Sequence, residues 1–152
     1  MNQNSFVLTT LSANPEYFEE IISLISDIVL FNNDAKFLLI PIPISTARRI
    51  ERGYNQSEYI AKSILEYDTE HILLYTPQWL QKIKDTEIQS KSASRQARMK
   101  NLIGCFEANN QVEEKYIILI DDVVTTGTTL SEARTTLLSA GAKDIFAFTI
   151  AH

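Results

Sequence analysis

Two adjacent carboxylates, Asp121 and Asp122, close an apolar run, and Val123-Val124-Thr125-Thr126-Gly127-Thr128-Thr129 follows them directly. Carboxylates accept hydrogen bonds from hydroxyl groups and donate none when ionised. A loop of threonine hydroxyls and backbone N–H groups that ends at a helix start is a ready anion site. Acids beside a phosphate cradle make chemical sense when one ligand carries both an anion and a diol. A ribose 5-phosphate does: its 2′- and 3′-hydroxyls suit the acids, and its phosphate suits the loop. A nucleoside-triphosphate P-loop does not match, because no lysine follows Gly127 until Lys143. A response regulator also pairs acids after a strand, but near its N-terminus. The plain alternative is a strand-to-helix turn with a capping threonine and two exposed acids.

The acids need a strand behind them and a helix after the loop. Tyr116–Ile120 has the length and β-branched composition of a buried parallel strand, and Leu130–Ala140 reads as the helix, with Gly141 ending it. In open α/β sheets, ligands bind at the carboxyl ends of the strands. Other strands are expected at Phe6–Thr10, Phe37–Ile42, His71–Tyr75, Leu102–Phe106 at an edge, and Ile145–Ile150. Asn14-Pro15 reads as the cap and first position of a helix carrying Phe18, Ile21, Ile22, Ile25, Ile28 and Val29 at helical spacing. A second amphipathic helix is expected over residues 54–67, and a short one around Trp79 and Leu80. Residues 85–101 are polar and basic with little periodicity, which predicts a mobile loop passing into a helix near Arg95. Strands alternating with helices predict an α/β fold, a mostly parallel sheet flanked by helices, in a single domain over residues 1–152.

The chain has 152 residues, enough for one domain with a core. Its net charge of −5 argues against general nucleic-acid binding. The basic residues are nonetheless concentrated: Arg48, Arg49 and Arg52 form one group, and Lys82, Lys84, Lys91, Arg95, Arg98 and Lys100 another. Nine of the 14 basic residues therefore fall in two short segments, which is how a chain builds a surface for an anion; the alternative is a solvated charged helix. Cys105 is the single cysteine, so no internal disulfide or cysteine-built zinc site can form, which fits a reducing cytosol. His71 and His152 are too isolated to suggest a metal cluster. No apolar run approaches the ~20 residues of a membrane span, and Met1–Ser5 lacks the basic start of a signal peptide. A cytoplasmic protein is expected.

The run from Tyr116 to Thr129 closely resembles the signature of type I phosphoribosyltransferases, which bind phosphoribosyl pyrophosphate (PRPP). Two further segments narrow the resemblance. Ile40-Pro41-Ile42-Pro43-Ile44 leads into Arg48-x-x-x-Arg52-Gly53-Tyr54-Asn55-Gln56, and later come Thr86-x-x-Gln89, Arg95-x-x-Arg98-x-x-Asn101-Leu102 and Gly104-x-Phe106. In this order they resemble motifs of the ComF/GntX-like phosphoribosyltransferases, over roughly residues 37 to 151. The chain departs from that family in three ways. It lacks the four-cysteine zinc module that many members carry, no Lys-Tyr element is evident in residues 1–35, and Lys82 and Lys84 stand where arginines are usual. Lysine does not reproduce arginine's bidentate grip on phosphate.

The resemblance implies a fold, a ligand and roles. PRPP would be bound by Asp121, Asp122, Val123, Thr125, Thr126, Gly127, Thr128 and Thr129, the acids on the ribose hydroxyls and the loop on the 5-phosphate. Gly127 would allow close backbone approach or a positive φ. Displacing pyrophosphate from C1′ passes through an oxocarbenium-like state akin to that of glycosidases, so Asp121, Asp122, Arg48 and Arg52 are the catalytic candidates, the arginines facing the leaving pyrophosphate. Mg²⁺ bound mainly through PRPP oxygens is implied as cofactor. Arg95 and Arg98 would close over the phosphates from the flexible loop. Asn55 and Gln56 could cap the following helix or touch the ligand. The acceptor that would receive the ribose phosphate is not legible, and a homodimer is open. A second reading is a non-catalytic PRPP-binding accessory or regulatory protein in DNA uptake (competence). There the basic segment 82–100 would contact single-stranded DNA, and Trp79 and Tyr75 would stack on bases or pack in the core.

Overall fold

The computed structural model describes residues 8–11, 16–32, 36–84, 95–122 and 127–150. The Asn14-Pro15 cap, the segment 85–94 with Thr86, Gln89 and Lys91, and Val123, Thr125 and Thr126 of the loop lie outside these residues. So do the side chains of Arg95 and Arg98, whose backbone is described.

Five parallel strands form one sheet: β1 (Leu8–Leu11), β2 (Phe37–Pro41), β3 (Leu73–Tyr75), β6 (Tyr116–Asp121) and β7 (Asp144–Ile150), in the spatial order β1-β7-β6-β2-β3. Between β3 and β6, β4 (Leu80–Lys82) and β5 (Phe106–Ala108) pair antiparallel as a separate ribbon. The helices are α1 (Glu16–Phe31), α2 (Thr46–Arg52), α3 (Gln56–Tyr67), α4 (Arg95–Leu102) and α5 (Thr128–Ser139).

The period-2 alternation of the central strands sorts their side chains between two cores. Ile118 and Ile120 of β6, Phe37 and Leu39 of β2, and Phe146 and Phe148 of β7 meet Ile21, Ile25 and Val29 of α1 and Ile60, Ala61 and Ile64 of α3. On the other face, Ile117, Leu119, Leu38, Ile40, Ile145 and Ala147 meet Leu130, Ala133 and Leu137 of α5, with Leu80 and Phe106 of the ribbon. A strand covered on both faces must be apolar at every position, which is why β6 reads as an unbroken apolar run. Each such side chain contributes about 1.5–3 kcal/mol through burial.

The expected strands and helices are found, with local differences. The strand expected from His71 begins at Leu73, His71 itself being left-handed at φ 52°, and Phe6 and Val7 of the first expected strand lie outside the described residues. Residues 46–52 form α2, a helix the periodicity did not predict, because none of its residues is buried and it carries no apolar stripe. Its marks are at its ends: the Ser45 Oγ accepts from the Arg48 N–H at 3.2 Å, and Gly53 stops it at φ 78°. The short helix expected around Trp79 and Leu80 is a single 3₁₀ turn over Pro77–Trp79, and Leu80 already begins β4. The edge strand expected at Leu102–Phe106 is displaced: α4 runs through Leu102, the chain turns at Gly104 with φ 67°, and β5 starts at Phe106. The helix read from residue 54 starts at Gln56, with Asn55 as its cap.

Candidate functional site

The topology itself opens a crevice. From β2 the chain continues through α2 and α3 to β3 on one side; from β6 it continues through α5 to β7 on the other. Helix α3 packs on one face of the sheet and α5 on the opposite face. Neighbouring strands whose connections diverge in this way define a topological switch point, where open α/β sheets bind ligands. A cleft of about 420 Å³ lies there, its floor made by the ends of β2 and β6.

One wall is acidic. Asp121 is the last residue of β6 and still pairs with Thr149 of β7, so its side chain is only 7% exposed. Its Oδ1 accepts from the Asp122 backbone N–H at 2.9 Å and from Ser57 Oγ at 3.3 Å. Burial pushes the Asp121 carboxyl up to about 7, with the neighbouring Asp122 charge adding to the rise; the Asp122 amide and the Ser57 hydroxyl pull the other way. Asp122, one residue beyond the strand, is half-buried and lines the cleft.

A basic set lines the same cleft. Arg48 and Arg52 lie one turn apart on α2, so both project to one side of it, and both line the cleft, as does Lys82 from β4. Arg49, on another face of the same helix, pairs instead with Glu58 of α3. Pro43 and Ile44 supply an apolar rim, and Tyr54, 58% exposed, stands at the mouth.

Of the loop, Gly127 is in the left-handed region at φ 70° and opens α5, its carbonyl accepting from the Ser131 N–H at 2.9 Å. Thr128 and Thr129 form the first turn, and Thr129 lines the cleft. A glycine in that conformation, placed between an acid pair and a helix start, is what the spacing anticipated.

The structure therefore brings Asp121, Asp122, Arg48, Arg52 and Thr129 around one cavity. Asn55 serves as a cap, accepting from the Ser57 N–H at 3.1 Å, while Gln56 lines the cleft. Tyr75 and Trp79 do not form one stacking platform: Tyr75 packs into the core of α1 and α3, and Trp79 into the core of α5. Two site residues escaped sequence reasoning. Ser57 gave no signal beyond its place after a capping asparagine, and Lys82 was read in a basic segment and at a family arginine position but not as a site residue. Among the described residues, no group of three or more His, Cys, Asp or Glu could hold a metal ion, and no helix is long and apolar enough to cross a membrane.

The chain is 37% identical over 119 residues to competence protein ComFC of Bacillus subtilis, an alignment covering 77% of this chain and 45% of that protein. It is 30% identical over 115 residues to competence protein ComFC of Streptococcus pneumoniae, covering 76% of this chain and 48% of that one. Against the DNA utilization protein YhgH of Salmonella typhimurium, identity is 27% over 107 residues, 70% of this chain and 45% of the relative. The aligned region thus spans about half the length of these relatives. No protein-family model matches the chain. The similarities support kinship with the ComF competence proteins.

Proposed function

We propose that this chain is a ComF-type accessory protein of DNA uptake or utilisation whose switch-point cleft binds a ribose 5-phosphate ligand, PRPP being the best fit. The names of its relatives support the physiological half of this reading. The ligand half rests on one observation: an acid pair, an arginine pair and a residue of the α5 start, Thr129, line one cleft of about 420 Å³. Such a volume suits a small polar metabolite. The carboxylates of Asp121 and Asp122 would accept the 2′- and 3′-hydroxyls. The N–H groups that open α5 at Gly127, Thr128 and Thr129 would hold the 5-phosphate. Val123, Thr125 and Thr126 belong to the same proposed cradle. Arg48 and Arg52 would face a second, diphosphate group. Mg²⁺ would arrive on the ligand's own oxygens and neutralise part of the diphosphate charge.

The same arginines would also serve a catalytic reading. A PRPP binder would use two cations for the diphosphate, and loss of pyrophosphate from C1′ would use the same two. On that reading the chain transfers ribose 5-phosphate to an acceptor, with Arg48 and Arg52 stabilising the departing group and Asp121 and Asp122 fixing the ribose.

The decisive experiment is calorimetric titration with PRPP, with and without Mg²⁺, and with ribose 5-phosphate. Micromolar PRPP binding strengthened by Mg²⁺ supports the whole site. Equal binding of ribose 5-phosphate keeps the acid-and-loop cradle and removes the diphosphate role of the arginines. No binding of either ligand overturns the ligand assignment. Release of pyrophosphate over time separates enzyme from binder, and a steeply salt-dependent affinity for single-stranded DNA would mark the accessory role.

A further inference from the structure

Ser57 is 2% exposed and Asn55 3%, and the hydroxyl of Ser57 does not serve its own helix. A buried hydroxyl must find a partner, and this one reaches a carboxylate 64 residues away in sequence. Four hydrogen bonds close a circuit around it. The Ile42 N–H donates to Ile120 O at 2.8 Å, joining the exit of β2 to β6. Asn55 Nδ2 donates to Ile42 O at 3.0 Å, anchoring the start of α3 to that exit. The Ser57 N–H donates to Asn55 Oδ1 at 3.1 Å, which sets the first turn of α3. Ser57 Oγ then donates to Asp121 Oδ1 at 3.3 Å, returning to β6. Every member is either backbone held by a strand or a buried side chain, so the hydroxyl has little freedom to point elsewhere.

We propose that Ser57, held in place by Asn55, is a positioning residue that fixes the orientation of the Asp121 carboxyl and biases it toward the charged form a ribose hydroxyl requires. The proposal deepens the ribose-phosphate reading and rests on it for the identity of the ligand. The physical need is clear from the surroundings. Burial and the adjacent Asp122 both oppose ionisation of Asp121. The Asp122 amide and the Ser57 hydroxyl are the two neighbours that counter them by donating to Oδ1. The amide is fixed by the chain, whereas Ser57 donates through a side chain that a substitution can remove. The charged groups that line the cleft with Asp121 are Asp122, Arg48 and Arg52 on α2, and Lys82 on β4, and Thr149 of β7 is its neighbour in the sheet.

The test is Ser57→Ala, with Ser57→Thr as the variant that keeps the hydroxyl. Carbon-13 NMR of the aspartate carboxyls follows Asp121 directly in the ligand-free full chain. Losing a hydrogen bond to a charged group should raise the Asp121 titration midpoint by about one pH unit, and Ser57→Thr should bring it back. PRPP titrations from pH 6 to 9 should show the pH midpoint of binding moving upward by the same amount, with affinity recovered at high pH. A merely structural serine would weaken binding equally at every pH and leave the carboxyl midpoint alone; that result overturns the proposal. Should PRPP fail to bind the unmodified chain while the Asp121 midpoint still moves in Ser57→Ala, the positioning role stands and the ligand assignment falls.

Discussion

Replacing Asp121 by asparagine should stabilise the fold at neutral pH while removing the ligand's anchor. The unfolded chain ionises this carboxyl near its ordinary value of 3.8, but in the folded protein burial first, and Asp122 second, hold it protonated up to about 7. Between those values the folded state keeps a proton that the unfolded state has lost, so stability falls as pH rises through the window. A rise of that size corresponds to at most about 4 kcal/mol, a large share of the ~5–15 kcal/mol that holds a typical domain together. Asparagine has nearly the same shape and keeps an oxygen for the Ser57 hydroxyl and the Asp122 amide. It carries no charge to desolvate. Urea unfolding of both proteins at pH 4, 5.5, 7 and 8.5 reads the difference, because the other carboxylates titrate in both and largely cancel. The two should be nearly equal at pH 4. The variant should draw ahead through pH 7, by about 2–4 kcal/mol, and hold that lead above it. A constant gap across the range, or an unmodified chain that gains on the variant with rising pH, would refute the claim that this carboxyl is buried against its own charge.

The double replacement Asp121→Asn with Asp122→Asn should leave circular dichroism unchanged and abolish PRPP binding in calorimetry; retained affinity would end the ribose assignment. Gly127→Val should weaken PRPP binding by about 1–3 kcal/mol, because φ 70° is strained for a β-branched residue, and unchanged affinity would mean the backbone there does not approach the phosphate. Arg48→Ala and Arg52→Ala should each weaken PRPP by about 1.5–3 kcal/mol while sparing ribose 5-phosphate; equal losses for both ligands would place these arginines on the 5-phosphate instead.

What could be read from the chain alone follows from which signals are local. Strands β2 and β6 are buried on both faces, so their positions are apolar up to the Asp121 that closes β6, and the runs stand out. The acid pair was legible because it interrupts such a run, and Gly127 because a residue at φ 70° is best filled by glycine. Helix α2 was missed because burial drives periodicity and α2 buries nothing; only its end signals, Ser45 and Gly53, could have revealed it. The β4–β5 ribbon was misplaced because each strand is three residues long with one buried apolar residue: Leu80 fits a short helix equally well, and Phe106 was read as the end of a strand that it begins. Ser57 was invisible for a different reason. A serine near a helix start is ordinary, and its importance comes from a carboxylate that only the fold brings within 3.3 Å.

The site's charge layout follows from the same division. The acids are placed by β6 and the arginines by the helix after β2, so the two walls belong to connections that leave the sheet in opposite directions. Nothing covalent joins them at the cleft except the sheet itself, and the circuit through Ile42, Asn55 and Ser57 ties the basic side's backbone to the acidic side's carboxyl. A ligand with an anion at each end and a diol between would therefore be gripped by two elements whose spacing is set by hydrogen bonds rather than by packing alone. Preorganisation of that kind lowers the ordering cost of binding. It also explains why an expensive buried carboxyl is tolerated at Asp121: moved one residue further along it would be solvated and stable, but it would no longer be fixed by β7 on one side and by Ser57 on the other.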